Sequence, residues 1–236
     1  MFGFLNINKP PHVTSRGAVN TIQKLIKPTR IGHAGTLDPL ATGVLVLCIG
    51  PATRLTRFIQ DHPKVYLADF ELGVVSDTED RYGEKQVVPF APEISAEDLA
   101  AVLPSFTGEI LQRPPAFSAL KVQGKRAYTL ARQGKDVQLA PRKILIHELQ
   151  LVEFSYPKFQ LRIHCGSGTY VLSLGRDIGE KLGSGAIMTS LKRVSIGEFE
   201  LANSLNLDDL TKSNLQNLLV NAAEPLGQLD SIEILH

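Results

Sequence analysis

Hydrophobic positions recur with two different spacings along the first third of the chain. A helical spacing predicts a helix from Thr14 or Ser15 to Ile26, whose apolar face carries Val19, Ile22, Leu25 and Ile26. A strict alternation predicts a half-buried strand over residues 64–75, with one face formed by Tyr66, Ala68, Phe70 and Leu72. The apolar run from Val44 to Ile49 is typical of a strand that is buried on both faces.

The remaining patterns predict further strands and helices around a loop over Gly32–Thr42. Strands are predicted at residues 2–8, 143–154, 158–165 and 195–201, and helices at 52–59, 95–103, 169–182 and 207–221. Ser95 and Asp98 form a variant of the capping box, and Gly183 is a typical residue after the last turn of a helix. Because strands are joined by hairpins as well as by helices, we expect an α+β fold with a mixed, largely antiparallel sheet and flanking helices.

Composition places the chain among globular proteins and changes this picture little. Its 236 residues are 43% hydrophobic and 21% charged, and the apolar runs are too short to span a membrane. The N-terminus lacks the basic start and apolar stretch of a signal peptide. Two cysteines in strand-like settings favour a reducing compartment, and the histidines show no metal-ligand spacing. We therefore expect a cytoplasmic protein without a metal.

The charge distribution is more informative than the net charge of +1. Residues 1–58 carry seven Lys or Arg against one acid, and residues 106–145 carry eight against two, whereas residues 59–105 carry three against ten. The basic segment 106–142 is also punctuated by Pro and Gly, which predicts a surface excursion. Such polarity indicates a face for a polyanion, with chance clustering on solvated surfaces as the alternative.

Asp38 is the single acid in the first basic block. The surrounding positive charge should hold the pKa of its carboxyl low, so that it is ionised at neutral pH. Taken alone, an Asp before Pro39 is more simply explained by a turn in which the side chain bonds the backbone.

The segment Gly32-His-Ala-Gly-Thr-Leu-Asp-Pro-Leu-Ala-Thr-Gly-Val-Leu45 resembles the catalytic motif of the TruB family of pseudouridine synthases. Further segments fit the same family in order: Asn8-Lys-Pro10, Tyr66, the run from Gln112 to Tyr128, and Cys165-Gly-Ser-Gly-Thr-Tyr170. The match extends over roughly residues 3–200. A single Leu-Asp pair would be uninformative, whereas this ordered set is specific.

The resemblance implies an isomerase that converts the T-loop uridine of tRNA, position 55, to pseudouridine, with Asp38 as the catalytic carboxylate. The target base must leave its stack to be reached. Because the reaction moves one bond from nitrogen to carbon without redox change, it implies no cofactor. The resemblance also implies one catalytic domain over residues 1–236 that works as a monomer on the tRNA T-arm without an obligate protein partner.

Several other residues acquire roles through the resemblance. Those expected to contact the substrate are His33, Tyr66, Tyr170, Leu191, Lys9 and Arg176. The segment 106–142 corresponds to a thumb-like insertion that closes on the T-loop, with candidate phosphate contacts at Arg113, Lys121, Lys125, Arg126, Arg132 and Lys135. The plainer readings are a core aromatic for Tyr66 and solvated side chains for Lys9, His33 and the basic residues.

The chain departs from the family pattern in two places. The Arg that usually follows Gly-Thr-Tyr-x, and pairs with the catalytic Asp, is Leu172 here, and Arg176 one helical turn later is the candidate replacement. The C-terminal PUA domain common in the family is expected to be absent, because the chain ends at His236. Two alternatives stay open: a synthase of the guide-dependent dyskerin type, and an RNA-folding chaperone with weak or lost catalysis.

Overall fold

The computed structural model describes residues 1–118, 120–122, 124–134, 137 and 139–221, without the side chains of residues 121, 122, 125 and 126. The helices are α1 (Ser15–Ile26), α2 (Thr56–Asp61), α3 (Ala96–Val102), α4 (Ala127–Ala131) and α5 (Val171–Leu182). The strands are β1 (Gly3–Lys9), β2 (Ile31–Ala34), β3 (Thr42–Ile49), β4 (Lys64–Leu72), β5 (Val74–Ser76), β6 (Lys85–Val87), β7 (Gly108–Gln112), β8 (Lys121–Val122), β9 (Lys125–Arg126), β10 (Arg142–Ser155), β11 (Lys158–Cys165), β12 (Ala186–Ile196), β13 (Phe199–Glu200) and β14 (Leu205–Asn206).

These elements fall into two compact units. The first comprises Met1–Lys64 and Lys192–His236, and the second comprises Val65–Leu191. The expectation of one catalytic domain over residues 1–236 stays a prediction.

The first unit is centred on β1 and β3, which pair antiparallel from Gly3↔Ile49 to Lys9↔Gly43. Strand β2 pairs antiparallel with β3, whereas β14 and the end of β12 pair parallel with β1 and β3. The core is formed by fully buried residues of the apolar run and its neighbours: Phe4, Ala34, Val44, Val46, Cys48, Ala52, Ile59 and Ile196. Helix α1 begins where the Thr14 hydroxyl accepts a hydrogen bond from the Gly17 amide at 2.8 Å.

The second unit carries the strand order β4-β11-β10-β7, in which β10 pairs antiparallel with both β11 and β7. The buried face of β4 includes Phe70, whose ring stacks on Phe159 of β11 at 5.1 Å between centroids. Helix α5 follows Tyr170 and ends at Gly183, which adopts the left-handed conformation with φ of 70°.

The structure confirms the expected α+β class with mixed strand pairing. It also confirms α1 with its Thr14 cap, the alternation along β4, and the capping box in which Ser95 and Asp98 bond each other's backbone. Both cysteines are buried in strands and unbridged. Within the described part of the chain, no helix is long and apolar enough to cross a membrane.

Five of the sequence predictions need correction. Residues 31–34 form β2 rather than loop, because they pair antiparallel with β3. The predicted helix at 52–59 is a 3₁₀ turn followed by α2. Strand β12 begins at Ala186, nine residues before the predicted start. The predicted terminal helix is wrong: 207–221 holds only two short 3₁₀ turns. Residues 108–112 form β7, so the excursion leaves the strands only after Gln112.

Candidate active site

The loop between β2 and β3, residues 35–41, is pinned to the first unit at three points. The buried Ser15 hydroxyl donates to the Leu37 carbonyl at 2.9 Å and accepts from the Leu37 amide at 2.8 Å. The Arg193 guanidinium donates to the Gly35 carbonyl at 3.1 Å, and the His12 amide donates to the Pro39 carbonyl at 2.8 Å. Asp38 is therefore held on a fixed backbone while remaining exposed.

Two glycines allow the loop to lie against Arg193. Gly43 has a φ of 95°, and a Cβ at this position would overlap the Arg193 carbonyl. Gly35 has a φ of 80°, and its Cβ would approach Nη1 of Arg193 to 3.2 Å. The motif's glycines at 35 and 43 thus serve a close approach of backbone to a buried arginine, whereas Gly32 has no positive φ.

Lys9 is completely buried at the end of β1. Its ammonium donates to the carbonyls of Pro10 at 2.9 Å and Val13 at 2.7 Å. Burial lowers the pKa of Lys9 to about 8. The negative charge of Asp38 opposes this shift, and the positive charge of Arg193 lowers the pKa further. Lys9 is thus electrostatically coupled to Asp38, which the plain reading of a solvated turn lysine does not account for.

His33 lies half-buried on β2. Burial lowers the pKa of its imidazole, and the positive charges of Arg16 and Arg193 lower it further. The surroundings of His33 therefore disfavour the protonated form of its ring.

Three further sequence-predicted residues lie in the second unit. Tyr66 is buried on β4 together with Ala68 and Phe70, and Leu191 is buried on β12. Tyr170 is half-buried and precedes the first turn of α5. The Tyr170 ring lies under the guanidinium of Arg142, with 4.9 Å between the Arg142 carbon and the ring centroid.

Arg176 has partners other than the one considered from the sequence. Its guanidinium pairs with the Glu79 carboxylate, and it also donates to Asp177 at 2.7 Å and to the Arg113 carbonyl at 2.8 Å. Each of its three nitrogens thereby has a hydrogen-bond partner inside the second unit. These contacts assign Arg176 to an ion-pair network on α5, one turn after the half-buried Leu172.

The basic excursion is described only in part. Arg113 is exposed and lies 3.7 Å from Glu180, and Arg132 is exposed with its guanidinium 5.8 Å from the Tyr128 ring. Strands β8 and β9 pair as a short hairpin. The side chains of Lys121, Lys125 and Arg126, and the whole of Lys135, lie outside the described residues.

Sequence reasoning missed three residues that shape the site. Arg193 has no role in the sequence analysis, yet it is 1% exposed and also donates from Nε to the Val44 carbonyl at 2.7 Å. Ser15 was predicted as a helix cap and instead fixes Leu37. Gln112 was noted only as the start of a motif, and its fully buried amide bonds the backbone of Tyr170.

No group of three or more His, Cys, Asp or Glu in the described residues is arranged to hold a metal ion. Separately, the first unit holds the exposed carboxylate of Asp38 on a fixed loop, with an electrostatic interaction between Asp38 and Lys9.

Comparison with known proteins shows the family of the chain. Residues 23–171 match the model of the TruB family pseudouridylate synthase N-terminal domain. Residues 173–229 match the tRNA pseudouridylate synthase B C-terminal domain. The expectation that a PUA domain is absent stays a prediction.

Relatives match over nearly the whole chain. The tRNA pseudouridine synthases B of Clostridium tetani and Clostridium acetobutylicum are 41% and 43% identical over 234 residues, which is 99% of this chain and 81% of each relative. That of Dehalococcoides mccartyi is 42% identical over 238 residues, covering 99% of this chain and 79% of the relative. Among solved structures, one chain of a Cbf5-Nop10-Gar1 complex matches with a TM-score of 0.70 and 30% identity, covering 89% of this chain and 53% of that one.

Proposed function

The chain belongs to the TruB family of pseudouridylate synthases, and from this membership we propose that it isomerises uridine 55 in the T-loop of tRNA with Asp38 as catalytic carboxylate. Its activity is that of a tRNA pseudouridine synthase, an isomerase. The structural observation that carries the assignment of Asp38 is its exposed position on a loop fixed by Ser15 and Arg193.

The reaction requires few groups. The bond between N1 of uracil and C1′ of the ribose breaks, the base rotates, and a bond from C5 to C1′ forms. The proton on C5 then leaves and N1 ends protonated, so that no atom is gained and nothing is oxidised. A carboxylate that attacks the nucleoside or removes a proton is sufficient for this sequence.

The environment of Asp38 supports its ionised form. The ammonium of Lys9 interacts electrostatically with the carboxylate of Asp38 and with the guanidinium of Arg193. Neighbouring positive charge stabilises a carboxylate, and a backbone fixed in advance avoids reorganisation when the substrate binds. Asp38 is therefore prepared to act on a nucleoside that is presented to it.

The flipped uridine needs surfaces that replace the stacking it loses. Tyr66 and Tyr170 offer aromatic rings, and Leu191 offers an apolar side chain. We assign all three to the target base by family resemblance. Stacking on an aromatic side chain contributes about 1–3 kcal/mol per base. By the same resemblance we assign the half-buried His33, near Arg16 and Arg193, to contact with the RNA beside the flipped base.

The basic excursion suits the T-arm as a polyanionic partner. Its candidate phosphate contacts are Arg113, Lys121, Lys125, Arg126 and Arg132. We assign the enzyme to the cytoplasm and to action as a monomer. The two unbridged buried cysteines support the first assignment, because thiols stay reduced there.

Mapping the product tests this function. The full chain is incubated with an unmodified tRNA transcript tritiated at C5 of uridine, release of tritium is followed, and pseudouridine is located by chemical probing. We expect one equivalent of pseudouridine at position 55, and no release from a transcript with cytidine there. Modification at another uridine, or none, would overturn the assignment.

A further inference from the structure

Gln112 is the last residue of β7, and its side chain is completely buried. Its amide nitrogen donates to the Tyr170 carbonyl at 3.0 Å, and its amide oxygen accepts from the Tyr170 amide at 2.9 Å. A buried primary amide is costly unless its groups are bonded, and here both bonds go to one residue. Gln112 thus holds the backbone of Tyr170 at the entrance to α5, where the Tyr170 side chain makes no capping hydrogen bond.

Arg142 contacts the aromatic ring of the same tyrosine. It is the first residue of β10 and is paired with Gln112 in the β7–β10 register. Its Nη2 donates to the Gly168 carbonyl, and its guanidinium lies over the Tyr170 ring at 4.9 Å. Gln112 therefore contacts the backbone of Tyr170 and Arg142 contacts its ring, and these two residues are paired across β7 and β10.

These two residues are also the points where the excursion leaves and rejoins the strands. The chain between them, residues 113–141, carries the candidate phosphate contacts. At its exit, the Arg113 carbonyl accepts from Arg176 at 2.8 Å, so this end is anchored to α5 as well.

We propose that Gln112 and Arg142, where the basic excursion leaves and rejoins the strands, are positioning residues that fix the backbone and the ring of Tyr170 against the target base. This positioning rests on the proposed role of Tyr170 in contacting the base. Gln112 does not touch the substrate in this account and acts only through Tyr170.

Gln112→Glu gives a reversible test of the hydrogen-bond pair. As a carboxylate, Glu can accept from the Tyr170 amide but repels its carbonyl, whereas a protonated Glu can make both bonds. At saturating enzyme we expect a single-turnover rate about tenfold or more below wild type at pH 8, a loss of about 1.4 kcal/mol per decade. The ratio of variant to wild-type rate should recover as the pH is lowered to 6, with tRNA affinity little changed.

The matched control is Gln23→Glu, since Gln23 also donates to a backbone carbonyl, that of Thr29 at 2.7 Å, but lies on α1. We expect its rate ratio to be constant with pH. A Gln112→Glu ratio that is equally constant would overturn the proposal. If that variant unfolds at pH 8, Gln112→Met replaces it and should be slow at both pH values; a wild-type rate for it would also contradict the proposal.

Combination with Tyr170→Ala separates this inference from the proposed function. If Gln112 acts through Tyr170, adding Gln112→Glu to Tyr170→Ala should slow the reaction no further at pH 8. Additive losses would overturn the coupling while leaving Tyr170 in its assigned role. A wild-type rate for Tyr170→Ala alone would overturn both that role and the coupling.

Discussion

The guanidinium of Arg176 on α5 pairs with the carboxylate of Glu79, and the two side chains are only 11% and 12% exposed. Glu79 also accepts from the Ser173 hydroxyl at 2.6 Å. Burial raises the pKa of Glu79, and the bond from Ser173 and the charge of Arg176 oppose that rise. Loss of the cation would leave a buried carboxylate without its main compensating charge.

We predict that Arg176→Ala lowers the free energy of unfolding at pH 7 by about 3–5 kcal/mol, as is typical when one partner of a buried pair is removed. Adding Glu79→Gln should restore about half or more of that loss, because it removes the stranded charge. Urea denaturation measures both. Arg113→Ala is the control: its contact with Glu180 is exposed, so the loss should stay within about 1 kcal/mol.

The same pair predicts a pH dependence. Without Arg176 the pKa of Glu79 should rise further, so that as the pH falls toward 5 the folded Arg176→Ala variant binds a proton at Glu79, whereas the unfolded chain keeps this carboxyl ionised. The loss of stability relative to wild type should therefore shrink between pH 7 and pH 5. A loss that stays constant over this range would show that Glu79 is not the stranded group.

Lys9 gives a second pH dependence, at higher pH. Its pKa of about 8 in the folded state lies below the ordinary 10.5, so between these values the unfolded chain binds a proton that the folded chain lacks. The stability of wild type relative to Lys9→Met should therefore rise as the pH increases from 7 to 9.5. Lys24→Met, which removes an exposed lysine of α1, should show no such trend. A flat Lys9→Met difference would contradict the burial of its charge.

Neutralising Lys125 and Arg126 together, by Lys125→Gln and Arg126→Gln, should weaken tRNA binding. We expect the slope of log affinity against log salt to flatten by about one to two units, because fewer counterions are released. Lys85→Gln with Lys158→Gln removes the same charge outside the excursion and should leave the slope unchanged. An unchanged slope for the first pair would mean that this part of the excursion faces away from RNA.

Tyr66 should contribute its ring to the flipped base. Tyr66→Ala should lose on the order of 1–3 kcal/mol of base interaction, while Tyr66→Phe should keep it. Since Tyr66 is buried, stability must be measured beside the rate. Phe70→Leu, on the same face of β4, is expected to lower stability without slowing single turnover. Wild-type rates for both Tyr66 variants would show that the residue is only part of the core.

Local patterns predicted those elements whose burial is simple. Helix α1 and strand β4 each bury one face, so their periodicity is visible in the sequence. Strand β12 begins with a fully buried Ala-Ile-Met run that has no alternation and was missed. The predicted terminal helix is wrong. The apolar residues of this segment have a helical spacing, but the polar residues between Leu207 and Leu215 favour turns.

The site was predictable only where a motif lies in one stretch of chain. The loop around Asp38 is contiguous, so its residues could be assigned together. Arg193 was missed because its partners, Val44 and Gly35, lie 149 and 158 residues away in sequence. Gln112 and Tyr170 are likewise 58 residues apart, and no spacing rule connects them.

The most direct test of the account is the single-turnover rate of Asp38→Asn on unmodified tRNA at saturating enzyme. Asn keeps the size of the side chain but cannot ionise, so pseudouridine formation should be abolished. Binding of tRNA should stay within about tenfold, roughly 1.4 kcal/mol, of wild type. Asp61→Asn, an exposed acid at the end of α2, should keep the wild-type rate. A rate for Asp38→Asn above about a few per cent of wild type, which is too small a loss for a covalent or general-base group, would contradict its catalytic role.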